Sequence, residues 1–233
     1  MPSEPVVFIT GATGNLGRAV AAAFDEQGAR LALVGTRPAS LDAAFPDLAG
    51  KHLKLAADLT DAEAAAAAVA EAEQKFGRID ALCAIAGAFR MGEPVHATSS
   101  EAWTEMAKLN VSTFVNVARG VVPGMIERKA GRIVTVGSTA AMKGGAQMGA
   151  YVAAKGTVMR LTESMSAELK GHGINVNCVL PSTIDTPANR AAMPKADPSK
   201  WVVPADVAAV IAFLCSDGAK AIHGALIPVA GLV

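Results

Sequence analysis

The chain has 233 residues, of which 52% are hydrophobic and 18% charged, so a large buried core is expected and extensive disorder is excluded. Lysine plus arginine and aspartate plus glutamate both number 21, a neutral balance that argues against a nucleic-acid partner or a basic membrane anchor. Three separated cysteines and four isolated histidines predict no disulfide framework and no metal site. They fit a reducing, cytoplasmic location.

Short apolar runs alternate with helical patterns along the whole chain. The predicted strands are 5–10, 30–35, 52–57, 79–87, 131–138, 174–181 and 225–231. The predicted helices lie near 15–27, 39–48, 61–76, 99–127, 150–171 and 204–216. The strands are continuous apolar runs, which is typical of strands buried on both faces of a parallel sheet. The pattern predicts an α/β chain: a single-domain doubly wound Rossmann fold over 1–233, with about seven parallel strands and helices on both faces. No signal peptide or membrane span is expected.

A glycine-rich stretch, TGATGNLG, joins the first predicted strand to the first predicted helix. Its glycines, Gly11, Gly14 and Gly17, are three residues apart. Glycines at such a junction allow a tight turn and let a pyrophosphate approach the backbone N–H groups at the helix N-terminus. The position in the fold favours a dinucleotide site over the alternative, a tight turn without a ligand.

The end of the second strand carries information on the cofactor. An acidic residue at this point usually binds the ribose 2′-hydroxyl of NAD, whereas a basic residue accommodates the 2′-phosphate of NADP. This chain has Thr36 and Arg37 there and no acid. The sequence therefore predicts NADP(H), with NAD as the second candidate. The alternative is that Arg37 is an ordinary exposed loop residue.

Tyr151 is the only tyrosine in the chain, and Lys155 follows it by one helical turn. Ser138 precedes it by thirteen residues, at the end of the fifth predicted strand. One interpretation is a buried phenol satisfied by its neighbours. The other is a proton-transfer site, in which the positive charge of Lys155 lowers the pKa of Tyr151 and Ser138 stabilises charge on a substrate oxygen.

The glycine loop together with Ser138, Tyr151 and Lys155 resembles the short-chain dehydrogenase/reductase family, and the resemblance covers nearly the whole chain. It implies an oxidoreductase that interconverts a carbonyl and an alcohol by hydride transfer, with Tyr151 as general acid/base. It also implies that Lys155 holds the nicotinamide ribose. Asn110, in KLNV, matches the catalytic asparagine of the family and is expected to hold a water that links Lys155 to solvent.

The resemblance further implies a set of residues along the cofactor, in which Asp58 matches the acid that contacts adenine. The cofactor-binding residues are predicted to be Gly11, Thr13, Asn15, Leu16, Gly17, Thr36, Arg37, Asp58, Leu59, Ala86, Gly87, Tyr151, Lys155, Pro181, Thr183, Ile184 and Thr186. The sequence departs from the family pattern at Asn15, where a glycine is usual. It departs again at Ala84 and Ile85, where two asparagines usually brace the sheet. Asn15 is expected to keep the turn because asparagine tolerates a positive φ.

The proline-rich segment 182–203 is long and irregular, which favours a substrate lid over a simple connector. Residues 180–201 also resemble the matching part of dihydropteridine reductase, another member of the family. The substrate pocket is predicted at the carboxyl ends of the strands and is mostly apolar, suiting an apolar ketone, aldehyde or alcohol. Its predicted residues are Ser138, Phe89, Arg90, Met142, Met148, Thr183, Met193 and Trp201. Arg90 is the candidate partner for an acid group, and Met142 and Met148 have packing as their alternative.

The two long helices near 99–127 and 150–171 carry small residues at 153, 154, 156 and 167. In the family such helices pair across a two-fold axis, so a homodimer or homotetramer is expected. A non-enzymatic NADP(H)-binding sensor on the same fold is the alternative function. The complete set of four catalytic candidates favours the enzyme, because a sensor has no need of all four.

Overall fold

The computed structural model describes residues 2, 4–46 and 50–232. The strands are β1 (Val6–Thr10), β2 (Arg30–Gly35), β3 (Leu53–Ala56), β4 (Ala81–Ala84), β5 (Gly131–Val136), β6 (Ile174–Pro181) and β7 (Leu226–Val229). The helices are α1 (Asn15–Glu26), α2 (Pro38–Ala44), α3 (Ala62–Phe76), α4 (Ser100–Ala107), α5 (Thr113–Arg128), α6 (Gly149–Leu169), α7 (Pro187–Ala192) and α8 (Pro204–Cys215). Predicted helix 39–48 ends early in the structure, at Ala44, and its positions 47 and 48 lie outside the described residues.

The seven strands form one parallel sheet in the order β3-β2-β1-β4-β5-β6-β7, which confirms the predicted doubly wound fold. Successive side chains of β1 point to opposite faces, as the geometry of a strand requires. Val7 and Ile9 pack with α1 and α8 in one core, and Val6 and Phe8 pack with α3 and α5 in the other. Both faces of the central strands are therefore covered, which explains their continuous apolar sequences.

The strand order reverses between β1 and β4, because β1 pairs with β2 on one side and with β4 on the other. In open α/β sheets the ligand crevice forms outside the carboxyl ends of the strands at this reversal. The glycine loop after β1 and the segment after β4 meet at this place. Ile85 and Ala86 both donate their N–H groups to Oγ1 of Thr10, each at 3.0 Å.

The predicted helix 99–127 is divided into α4 and α5 by a π-helical turn, Lys108–Ser112. A π-helical turn shifts hydrogen bonding by one residue, and such turns are frequent at functional sites. Here the Nδ2 group of Asn110 donates to the carbonyl of Met106 at 3.0 Å. The side-chain amide is thus hydrogen-bonded to a carbonyl of the preceding turn. This bond explains how an asparagine is tolerated in the middle of a helical segment.

The segment after β6 is closed at its base by backbone contacts. Val202 donates its N–H to the carbonyl of Thr183 at 3.1 Å, and Asp185 donates to the carbonyl of Val202 at 2.8 Å. The segment contains the short helix α7, whose N-terminus is capped by the Thr186 hydroxyl.

No helix among the described residues is long and apolar enough to cross a membrane.

Candidate active site

A cavity of about 460 Å³ opens at the carboxyl ends of β1, β4, β5 and β6. It collects segments that are far apart in the sequence: the glycine loop, the turn after β4, the end of β5, the start of α6 and the turn after β6. Its lining residues are Gly11, Thr13, Gly14, Asn15, Leu16, Gly17, Ile85, Ala86, Gly87, Ala88, Phe89, Val136, Gly137, Ser138, Tyr151, Lys155, Pro181, Ser182, Ile184 and Thr186. The predicted dinucleotide loop and the predicted Ser138–Tyr151–Lys155 group therefore share one cavity.

The glycine loop is packed so closely that two of its glycines have no room for a side chain. A Cβ on Gly17 would lie 2.2 Å from the carbonyl oxygen of Gly11. Gly11 itself has a φ of +63°, and a Cβ there would lie 2.9 Å from Cα of Ala86. Backbone approach this close is what a pyrophosphate site requires, because it leaves N–H groups accessible instead of side chains.

The N-terminus of α1 is open toward the cavity. Its N-cap residue, Gly14, provides no side-chain cap, and the first turn of the helix contains no acidic residue. Unpaired N–H groups and the positive end of the helix dipole favour a phosphate there. Asn15 is the first residue of the helix, and its backbone is not in the positive-φ region. The turn thus needs no positive φ at this position, contrary to our prediction.

The ends of β2 and β3 lie beside the glycine loop. Thr13 packs over Gly35, where an added Cβ would lie 3.0 Å from Cγ2 of Thr13. Thr36 and Arg37 follow Gly35 and are exposed, and the Arg37 side chain makes no hydrogen bond or ion pair with the described residues. Asp58 is also exposed and accepts the N–H and hydroxyl of Thr60, which lower the pKa of its carboxyl. Leu59, next to it, is buried.

Tyr151 lies in the first turn of α6, with its ring largely enclosed. Its ring packs edge to face against Phe89, with 4.9 Å between the centroids and an interplanar angle of 80°. Burial raises the pKa of the Tyr151 phenol, and the nearby Ser138 hydroxyl opposes this in part. The Ser138 hydroxyl also accepts the N–H of Ala140 at 3.2 Å. The predicted lowering of the tyrosine pKa is therefore wrong, because burial dominates.

Lys155 explains this difference, because its ammonium group is directed to the backbone and not to the phenol. Nζ donates to the carbonyl oxygen of Val136 at 2.8 Å, and the side chain is buried. Burial lowers the pKa of Lys155 from its ordinary 10.5 to about 8. Burial thus disfavours the charged form, but a pKa of about 8 still leaves most of the Lys155 ammonium protonated at neutral pH, where it lines the cavity.

Asn110 lies behind Gly87, opposite Lys155. A Cβ on Gly87 would lie 2.6 Å from Oδ1 of Asn110 and 3.1 Å from Nζ of Lys155. The Asn110 amide exchanges two hydrogen bonds with the backbone of Ala88: Oδ1 accepts its N–H at 3.2 Å, and Nδ2 donates to its carbonyl at 3.1 Å. With the bond to Met106, both N–H groups are used, and a single lone pair of Oδ1 remains for a water.

The structure does not place every predicted substrate residue in the cavity wall. Met142 and Met193 are exposed, Met148 lines a smaller neighbouring cavity, and Trp201 is buried but is not in the cavity wall. Thr183 contributes its carbonyl to the closure of the lid, and its side chain is not part of the lining. Arg90 pairs with Glu105 at 2.9 Å and with Glu93 at 3.4 Å, so its charge is already neutralised. The predicted partner for an acid group is therefore occupied.

Two polar residues with supporting roles were absent from the sequence prediction. Thr10 holds the turn after β4, as described above. Asn116 of α5 donates to the carbonyls of Leu59 at 3.1 Å and Thr60 at 3.3 Å, which fixes the turn after β3. Thr10 is the first residue of the glycine motif and could have been found there, whereas nothing in the local sequence relates position 116 to position 59.

Among the described residues no group of three potential ligands forms a metal site.

A family model described as short chain dehydrogenase matches residues 5–197. The chain belongs to the short-chain dehydrogenase family. It is therefore an oxidoreductase that acts on an alcohol or a carbonyl and uses a nicotinamide dinucleotide. The glycine-lined cavity and the open helix N-terminus fit such a cofactor.

Similar proteins in this family act on varied substrates. The chain is 33% identical over 243 residues to 2-(S)-hydroxypropyl-CoM dehydrogenase 3 of Xanthobacter autotrophicus, with 97% of this chain and 95% of that protein covered. It is 32% identical to D-threitol dehydrogenase of Mycolicibacterium smegmatis, with 94% and 89% covered. The crystal structure of an NAD+-bound xylitol dehydrogenase superposes with a TM-score of 0.91 at 27% identity, covering 99% of this chain and all (100%) of the other.

Proposed function

We propose that the protein is an NADP(H)-preferring carbonyl reductase or alcohol dehydrogenase in which Tyr151 transfers the proton. One observation carries this: Ser138, Tyr151 and Lys155 line the same cavity as the glycine loop. The nicotinamide supplies the hydride to the carbonyl carbon, or accepts it in the reverse direction. The oxygen receives the phenolic proton of Tyr151, and in oxidation it returns a proton to Tyr151. The alternative of a non-catalytic sensor has no support from this arrangement.

The roles of the other polar residues follow from their contacts. The Ser138 hydroxyl lies beside the Tyr151 phenol in the cavity, so it orients the phenol and binds the same substrate oxygen. Lys155 keeps a positive charge in a buried position next to Gly87, where it binds the cofactor ribose. Asn110 fixes the backbone at Ala88 and keeps one lone pair for a proton-relay water. A combined test is NADP(H) binding by fluorescence together with turnover of a carbonyl panel.

Preference for NADP(H) rests on Arg37. This arginine is exposed, lies beside the glycine loop and has no acidic partner among the described residues, so its guanidinium is available for a 2′-phosphate. We expect Arg37→Ala to weaken NADPH binding by roughly 1.5–3 kcal/mol, the value of a hydrogen bond to a charged group. NADH affinity serves as the internal control and should change little. Equal losses for both cofactors, or tighter binding of NADH by the unmodified protein, would contradict the assignment.

We further propose a homodimer or homotetramer that uses the outer face of α6. Ala153 is exposed, and an added Cβ on Gly156 would have no neighbour within 4 Å. Ala154 does not belong to this face, contrary to our prediction from small residues, because it is buried against Met106. Small residues on an exposed helix face allow a second helix to approach closely.

We expect Ala153→Arg to shift the protein to smaller species in sedimentation velocity. Ala67→Arg is the matched control, because Ala67 is an exposed alanine on a different helix, α3. The control should leave the sedimentation coefficient unchanged. An unmodified protein that is already monomeric at micromolar concentration would end this proposal.

We also propose that residues 182–203 act as a lid over the substrate. We propose a cytoplasmic location as well, because all three cysteines are free thiols.

A further inference from the structure

Phe89 forms the apolar wall of the cavity beside the proposed proton donor. Its ring lines the cavity and packs against Tyr151, yet 58% of its surface is exposed. A phenylalanine this exposed presents a large apolar area that is not used in the protein core. Part of the ring therefore packs against Tyr151, and the remainder is available to a ligand.

The position of this ring is fixed through the backbone. Phe89 follows Ala88, whose N–H and carbonyl are both bonded to the Asn110 side chain. Asn110 is in turn bonded to Met106 within the π-helical turn. Phe89 thus stands on an anchored residue and not on a free loop, which is what a surface that orients a substrate requires.

Further exposed apolar side chains follow two of the cavity-lining residues, Phe89 and Ser138, along the chain. Met91 and Val95 are 55% and 61% exposed and lie on the same segment after β4. Val95 lies over the first turn of α6, because an added Cβ on Gly149 would be 2.6 Å from Cγ2 of Val95. Met142, 60% exposed, follows Ser138 by four residues. Exposed large apolar side chains grouped at a cavity are typical of a binding surface for an apolar group.

Charge on this rim does not favour an anion. Arg90 is placed between two carboxylates, Glu93 and Glu105, and these raise the pKa of its guanidinium. Lys143, next to Met142, is exposed and does not line the cavity. A carboxylate in the substrate would have to displace Glu105 or Glu93 from Arg90, and hydroxyl groups laid against Phe89 would lose their hydrogen bonds to water.

We propose that the substrate is a ketone, aldehyde or secondary alcohol whose large substituent is apolar and uncharged, and that Phe89 selects it. This inference rests on the proposed function, because it assigns the substrate class of the same cavity. The substituent packs on the Phe89 ring, and this contact places the carbonyl oxygen between Ser138 and Tyr151. Hydride and proton transfer then proceed as described above.

The test compares four carbonyl probes, acetophenone, butanone, dihydroxyacetone and acetoacetate, and the corresponding alcohols, with both NADPH and NADH. We expect the highest kcat/KM for acetophenone. Phe89→Ala should lower kcat/KM for acetophenone by about 10-fold or more relative to butanone, since apolar pocket contacts discriminate by this order. Phe89→Leu, which keeps an apolar side chain, should restore part of the ratio.

Phe213→Ala is the matched control. Phe213 is also half-exposed, at 49%, but lies on α8 beside α1 and not at the cavity. It should leave the acetophenone-to-butanone ratio unchanged. A preference for dihydroxyacetone or acetoacetate, or a Phe89→Ala effect equal for both ketones, overturns the substrate class and leaves the proposed function standing. Cofactor binding with no turnover of any probe overturns the proposed function, and this inference with it.

Discussion

Replacement of Tyr151 by phenylalanine is expected to reduce kcat by roughly 10²–10⁴-fold, the contribution usually made by general acid–base catalysis. The substitution removes the transferable proton and keeps the ring, so the edge-to-face contact with Phe89 is preserved. The substitution removes a largely buried hydroxyl beside Ser138, so stability should change by only about 1 kcal/mol. The measurement is kcat on a confirmed substrate at saturating cofactor.

Two controls separate lost chemistry from lost structure in this variant. NADP(H) affinity should be nearly unchanged, because the phenyl ring still fills its place in the cavity. The midpoint of thermal unfolding should also be close to that of the unmodified protein. Full activity of Tyr151→Phe would show that Tyr151 serves packing alone, and the proposed proton transfer would then be wrong.

Replacement of Lys155 by methionine is expected to lower kcat by at least about 10²-fold, because a preorganised charge is removed from the reacting groups. Cofactor binding should weaken as well, since the proposed ribose contact is lost. A group titrating near pH 8 in the pH–rate profile should disappear, because burial lowers the pKa of Lys155 to about 8. Lys170→Met, an exposed lysine at the end of the same helix, is the matched control for activity.

Lys155→Met should fold about as stably as the unmodified protein at neutral pH. The difference in stability between the two should then change with pH. The pKa of Lys155 is 10.5 in the unfolded chain and about 8 in the fold, so its burial penalty of about 3 kcal/mol applies fully below pH 8. The unfolded chain binds the extra proton between pH 8 and 10.5, so the unmodified protein gains stability from this group as the pH rises.

Methionine removes the penalty but leaves the Val136 carbonyl without its donor, at a cost of roughly 1–3 kcal/mol. The two effects nearly cancel at pH 7, so Lys155→Met should unfold close to the unmodified protein there. It should lose relative stability toward pH 10.5. Denaturant unfolding at several pH values checks this, and a variant that is strongly destabilised at pH 7 would show that Lys155 has a mainly structural role.

Much of the candidate site was predictable because its signals are local. The glycine loop is specified by residues next to one another at a strand–helix junction, and Lys155 follows Tyr151 by one helical turn. Both relations depend only on the geometry of one element and its neighbour. The contacts of Arg90 were not predictable in this way, because Glu105 lies fifteen residues away in helix α4.

The seven strands, the main helices and the candidate residues for the chemistry were predictable from the sequence, because burial on two faces and helical periodicity can be read in neighbouring positions. How those residues are placed in the cavity depends on tertiary packing. The π-helical turn, the bonding of Asn110 to Ala88 and the direction of Lys155 toward Val136 all depend on partners in other elements or on a shifted hydrogen-bond register. The outward or inward orientation of Ala153 and Ala154 likewise follows from which face of α6 packs on Met106. Such pairings are set by packing between distant segments, and neither composition nor periodicity records them.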